Sequence, residues 1–172
     1  MKENGEQKME NRVIVEGLKS RFGTDILNPD ETTDILTLTV SRNIIHDLIK
    51  FLKDDESFQF TFLTDLTGIH YPEKELQIGV IYHLHNLHFN KRIRIKTFVS
   101  AEDPVVKSIT DIFSSANWME RETFDFYGIV FEGHPNLKRI LNVEYMDYFP
   151  MRKEYPLEDQ TREDKDDRFF GR

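Results

Sequence analysis

Four groups of residues in this sequence have the types and spacing to do chemistry. His83, His85 and His88 lie within six residues. On a strand, residues i and i+2 share a face, so two imidazoles there can meet one metal ion. A metal site needs three or four ligands with a supporting shell, and the outward face of a sheet is an ordinary place for histidine. These three read as solvated strand residues. Arg92, Arg94 and Lys96 put three bases on one strand face, able to meet phosphates or an acidic partner; the simpler reading is a solvated or salt-bridged face. Glu120, Glu122 and Asp125 place three carboxylates within six residues. A hydrolase pair needs two acids facing a cleft with their pKa values held apart. Arg121 and Asp125 are i,i+4 neighbours on a helix, so an ion pair between them is favoured. His134 sits in a turn between Gly133 and Pro135, ahead of Lys138 and Arg139. A histidine can be a general base, but no nucleophile or phosphate-cradling glycine loop is near, and a loop role is preferred.

The wider sequence narrows the chemistry further. It holds no Walker A run, no dinucleotide-binding glycine fingerprint, no Gly-x-Ser-x-Gly elbow and no His-Glu-x-x-His. Among 172 residues there is no cysteine. That excludes a disulfide framework, a thiolate zinc site, a cysteine-ligated iron–sulfur cluster and a cysteine nucleophile. Lys and Arg number 23 against 31 Asp and Glu, a net charge of −8. Such a chain is a poor candidate for gripping nucleic acid through phosphates. No apolar run approaches the ~20 residues of a membrane span, and the charged start Met1–Glu6 does not read as a secretory signal. More than half of the aromatic rings fall after residue 116. A disordered acidic tail is poor in aromatics, so these rings are expected to be buried against something.

The elements that must position these residues follow from periodicity. Val15, Leu18, Lys19 and Phe22 predict a helix over 12–22, stopped by Gly23. Asn28-Pro29-Asp30 predicts a turn. Alternation over 34–40 predicts a strand, with 24–27 as its hairpin partner. Ser41 can cap a helix over 43–53, whose apolar positions form one stripe. Strands are expected over 58–62, 76–84 and 92–96, each with one apolar face. Asp103 and Pro104 suggest the start of a helix carrying Val105, Ile109, Ile112 and Phe113. Asn117 suggests the cap of another, ending at Gly128. Beyond Gly128 the periodicities fade. The expectation is an α+β fold: a two-layer domain over 1–116, with a mixed or antiparallel sheet of about five strands covered by helices. Residues 117–172 are expected to form a helix and a long irregular arm lying on partner surfaces.

Residues 120–157 carry a resemblance. Glu120-Arg121-Glu122, Asp125-Phe126-Tyr127-Gly128-Ile129, Phe131, Gly133-His134-Pro135, Leu137 and Arg139-Ile140-Leu141 resemble the signature of the C-type subunit of NADH-quinone oxidoreductase, the 30 kDa subunit family of respiratory complex I. Pro150-Met151-Arg152-Lys153-Glu154-Tyr155-Pro156-Leu157 is similar to the family's second block. Phe62–Thr67 and the upstream strand pattern resemble its α+β domain more loosely. His70, Tyr148-Phe149, Met151 and Glu154 depart from the usual residues. The resemblance implies a non-redox subunit of the peripheral arm of a proton-translocating NADH:quinone oxidoreductase, with no catalytic site or cofactor of its own. FMN and iron–sulfur clusters would sit in partner subunits, and NADH and quinone would be substrates of the complex. It implies an obligate hetero-oligomer that braces subunits of the B, D and I types, peripheral on the cytoplasmic face of a bacterial plasma membrane. Related membrane-bound hydrogenases, F420H2 dehydrogenases and ferredoxin-dependent quinone reductases use similar subunits and are the alternative. Within that frame Glu120, Arg121, Glu122, Asp125, Phe126, Gly128, Gly133, His134, Pro135, Arg139, Leu141, Pro150, Arg152, Lys153, Tyr155 and Pro156 are the candidate subunit-interface residues. Their arginines would offer planar donors and their rings anchors.

Overall fold

A computed structural model of the chain describes residues 10–155 except 31 and 33. Helix α1 (Asn11–Phe22) buries Ile14 and Leu18, four residues apart on one face, and stops at Gly23 with φ of 57°. Helix α2 (Ile45–Asp54) buries Ile45, Leu48, Ile49 and Leu52 on the expected stripe. Helix α3 (Ala116–Tyr127) ends at Gly128, which adopts the left-handed conformation with φ of 74°. Five strands form the main sheet: β1 (Ile26–Asp30), β2 (Leu36–Val40), β3 (Phe62–His70), β4 (Ile78–Asn86) and β5 (Lys91–Val99), in the order β1-β2-β5-β4-β3. β2 and β5 run parallel; the other pairs are antiparallel. Two short strands, β6 (Val105–Lys107) and β7 (Val130–Glu132), pair in parallel beside it. This is the expected α+β fold with a mixed sheet.

The register explains where the core lies. Leu38, Ile95, Tyr82 and Leu66 stand in one row across four strands. All four are buried in one cluster with Ile14 and Leu18 of α1 and Leu48 and Leu52 of α2. Each fully buried aliphatic chain contributes about 1.5–3 kcal/mol, so this single face dominates the stability. Side chains one residue out of step, such as Thr39, Lys96, Ile81 and Thr67, share the opposite face.

Several expected elements differ. Asn28-Pro29-Asp30 is not a turn but the end of β1; it tolerates Pro29 because β1 is an edge strand. The chain turns just after, where Asp30 Oδ1 accepts the Thr32 N–H at 2.9 Å. Phe58 and Phe60 alternate like strand residues and both are buried, yet Gln59 has φ of 45° and the Phe60 N–H bonds Leu52 O. That segment is an irregular plug under α2, and the strand begins at Phe62. Residues 103–113 form no helix: Val105 and Val106 pair with β7, and turns follow. β-branched residues at that point suit a strand better than a helix. Ser41 holds the Asn43 N–H in a turn before α2 rather than capping it, and α3 starts at Ala116, one residue before Asn117. The expected boundary at 116/117 falls inside α3. Contacts run across it: α3 lies on β3, and β7 pairs with β6.

Candidate functional site

The resemblance-bearing residues converge on α3 and the chain that folds back over its C-terminal end. Two glycines make this approach possible. Gly68 in β3 leaves room for the Tyr127 ring, where a Cβ would collide with it. Gly128 both takes the left-handed turn and gives its open side to the Phe149 ring. Two guanidiniums also lie over the Phe149 ring, with Arg139 Cζ at 5.1 Å and Arg152 Cζ at 4.9 Å from its centroid.

Asp125 is the centre of the arm. It is fully buried, and its Oδ1 accepts Arg139 Nη1 at 2.7 Å. Its Oδ2 accepts the backbone N–H groups of Ile140, Leu141 and Asn142 at 3.0, 2.8 and 2.9 Å. Burial pushes this carboxyl up, but the Asn142 N–H, the Arg139 guanidinium and the Leu141 and Ile140 N–H groups together outweigh it and hold it well below the usual carboxylate range. Arg139 also donates to the carbonyls of Asp125, Met146 and Tyr148. Arg121 does not pair with Asp125; it donates to the carbonyls of Lys138 and Arg139 and stacks by Trp118. Arg152 donates to Tyr127 O at 2.8 Å, and the Met151 N–H to Phe126 O at 3.1 Å. The three arginines are thus engaged within the chain.

The remaining polar candidates are latches. His134 Nε2 donates to Asn117 O at 3.1 Å while its Nδ1 accepts the Asn136 N–H at 3.0 Å. Those partners require a neutral ring with the proton on Nε2. Gly133 before it has φ of 85°, and Pro135 after it is exposed. His70, at the end of β3, is buried and accepts the Lys153 N–H at 3.0 Å. Pro150 is half-buried, Lys153 and Tyr155 are exposed, and Tyr155 lies against Tyr148. Pro156 lies outside the described residues.

Glu120 is fully buried on the opposite side of α3. It accepts Ser108 Oγ at 2.7 Å and the Ile109 N–H at 2.8 Å. Burial raises its pKa to about 7, against the pull of those two donors. Glu122 is exposed, two residues and over half a helical turn away, and His134 touches neither. The structure does not bring Glu120, Glu122 and His134 together as an acid/base set. Arg94 bonds His83, and His85 bonds Asn90; among the described residues no group of three His, Cys, Asp or Glu is placed to hold a metal ion.

Residues 38–161 match the family model of the respiratory-chain NADH dehydrogenase, 30 kDa subunit. The chain belongs to that family. Members similar to it carry the name of NADH-quinone oxidoreductase, as its C-type subunit. The protein from Ruegeria pomeroyi is 41% identical over 136 residues, covering 79% of this chain and 68% of its own length. That from Citrifermentans bemidjiense is 39% identical over 153 residues, covering 89% and 93%. Against several others this 30 kDa family member spans only about three fifths of their length. Among solved structures, Nqo5 of a trypsin-resistant fragment (1-134) is similar with a TM-score of 0.65 and 28% identity, covering 75% of this chain and all of that one. A chain of the membrane-bound sulfane sulfur reductase, an archaeal respiratory membrane complex, shares the fold with a TM-score of 0.70 at 22% identity, covering 85% of both.

Some parts of the polar network of this family member were not legible in its sequence. Asn142 supplies both a backbone N–H and a side-chain donor to Asp125. Ser108 and Ile109 fix Glu120 from a segment expected to be helical. Only the excess of turn-forming residues between Gly133 and Asp147 hints that backbone N–H groups there need an acceptor.

Proposed function

We propose that this chain is a non-redox structural subunit of the peripheral arm of a proton-translocating NADH:quinone oxidoreductase. It braces the quinone-site subunit (D type) and the iron–sulfur subunits (B and I types). The observation that carries the reading is the arm itself. Asp125, Arg121, Arg139, Arg152 and His134 find their partners inside the chain, while Trp118 on α3 and Leu141, Val143, Tyr145 and Met151 on the segment after it stand exposed. A segment whose buried polar groups bond internally and whose apolar side chains stand exposed is suited to burial against partners. The absence of cysteine agrees with iron–sulfur clusters, like FMN, being held by neighbours. Electron transfer from NADH to quinone then belongs to the assembly, and this chain has no catalytic site. Its place is peripheral, on the cytoplasmic face of the bacterial membrane; among the described residues no helix is long and apolar enough to cross one.

The test is affinity purification of the tagged full chain from membranes in mild detergent, with companions identified by mass spectrometry. Flavin- and cluster-bearing subunits of an NADH:quinone oxidoreductase are expected. Hydrogenase- or F420H2-dehydrogenase-type companions would replace this reading with the related assembly, and solitary recovery would overturn both.

A further inference from the structure

The main sheet has two faces, and among the described residues the helices close only one of them. On the other face the register sets Asp65, His83, Arg94 and Thr37 in one row, with Thr67, Ile81, Lys96 and Thr39 in the next. Arg92 and His85 stand beyond the first row. Most of these side chains are half-buried or exposed. Arg92, Arg94 and Lys96 stand along β5 at a spacing of ~7 Å, the repeat of same-face residues on a strand.

These cations differ from the chain's paired arginines. Arg12, Arg42, Arg139 and Arg152 each have a carboxylate within 4.0 Å. Among the described residues Arg92, Arg94 and Lys96 have none. Arg94 Nε donates instead to His83 Nε2 at 2.8 Å, which requires that nitrogen to be unprotonated. His83 Nδ1 faces Asp65 Oδ2 at 3.5 Å, so Asp65 is directed to the imidazole. Asp30 feels the charge of Lys96 without pairing with it. The far end of the face is apolar: Phe98 lies on Gly79 beside Ile69, and Tyr71 and Lys74 close over it.

We propose that this open face, centred on Arg92, Arg94 and Lys96, docks an acidic segment of a neighbouring protein subunit. The inference rests on the reading above in requiring an assembly. Carboxylates at alternate positions of an extended segment repeat at the same ~7 Å and can meet the three cations one to one. The arginines offer bidentate forks for them. A long polyanion such as nucleic acid is disfavoured by the chain's net charge of −8.

Carbodiimide coupling of the purified assembly tests this, because it joins an amine only to a carboxylate in direct contact. Lys96 is expected to be recovered joined to an Asp or Glu of another polypeptide. The R92E/R94E/K96E chain should fold normally by circular dichroism but be recovered in the assembly at least tenfold less at moderate salt. R92Q/K96Q, which keeps the Arg94–His83 bond, should show the same defect more weakly. Coupling of Lys96 to this chain's own acids alone would overturn the proposal. So would normal assembly of both variants, recovery abolished by nuclease, or flotation of the isolated chain with phosphatidylglycerol vesicles. A wild-type chain without companions would overturn the assembly reading; an assembled chain with Lys96 uncoupled would overturn the docking alone.

Discussion

Two fully buried carboxylates on one helix, five residues apart, are held in opposite ways. Asp125 meets a guanidinium and three backbone N–H groups, so its charge is matched. Glu120 meets one hydroxyl and one N–H, and burial wins. Asp125→Ala would leave the Arg139 guanidinium without its carboxylate and three N–H groups without an acceptor. A loss of about 3–5 kcal/mol is expected, measured by urea unfolding at pH 7. Because folding depresses the Asp125 pKa, that contribution is present above about pH 4 and is lost only as acid titrates the folded carboxyl. The sign reverses at Glu120. Folding raises its pKa from 4.5 to about 7, so its contribution is full below pH 4.5 and lost as pH rises through 7. The shift corresponds to roughly 3 kcal/mol. Subtracting the unfolding free energy of Glu120→Gln from that of the wild type should give a difference that falls across pH 4.5–7.5 and is level outside it. A level difference throughout would show that the carboxyl is ionised at little expense in the fold.

At the scale of elements, the arm is fastened to α3 by contacts that only glycine permits. Gly128→Ala places a methyl group in the Phe149 ring and forces a left-handed alanine, worth about 1–2 kcal/mol in backbone strain alone. Gly133→Ala has a similar φ but open space around it, so it carries the strain without the collision. Trypsin should cut Gly128→Ala at Lys138, Arg139 and Arg152 several-fold faster than Gly133→Ala, while a fragment holding β1–β5 persists. Equal rates would mean that Phe149 docking does not hold the arm. The elements with one clean periodicity were legible in the sequence: α1, α2, β2, β4 and β5, with β1 expected as the hairpin partner of β2 and α3 marked by its stop at Gly128. Those set by pairing were not. β3 runs from Phe62 to His70 with Asp65 and Gly68 in it, residues poor in strand propensity, and it exists because β4 and α3 flank it. Phe58 and Phe60 gave a strand pattern that the Gln59 turn breaks. The signature residues mark the stretch that folds back over α3, but Arg121 and Asp125 offered a helical pair that Arg139 displaces. A guanidinium from 14 residues downstream leaves no periodic trace.

At the scale of the whole molecule, the proposed function puts stability and assembly on different surfaces. The core seals one face of the sheet, and the arm's buried Asp125 and Arg139 bond within the chain, so the exposed side chains of Leu141 and Tyr145 are not expected to hold the fold. Tyr145 is 87% exposed and Leu141 66% exposed. Surface replacements of this kind usually change stability by no more than about 0.5 kcal/mol, whereas an apolar anchor buried in an interface is worth about 2 kcal/mol or more. Leu141→Ser with Tyr145→Ser should therefore leave the melting temperature of the isolated chain within about 2 °C of wild type. The same pair should lower the fraction of chain incorporated into the membrane assembly on native gels by tenfold or more. Turnover per assembled complex should be unchanged, because the chain is proposed to position its neighbours and not to carry electrons or protons. Normal incorporation with reduced turnover would reverse that assignment and place the arm in the chemistry. Lower incorporation with a falling melting temperature would mean that the exposed rings brace this chain and not its partners.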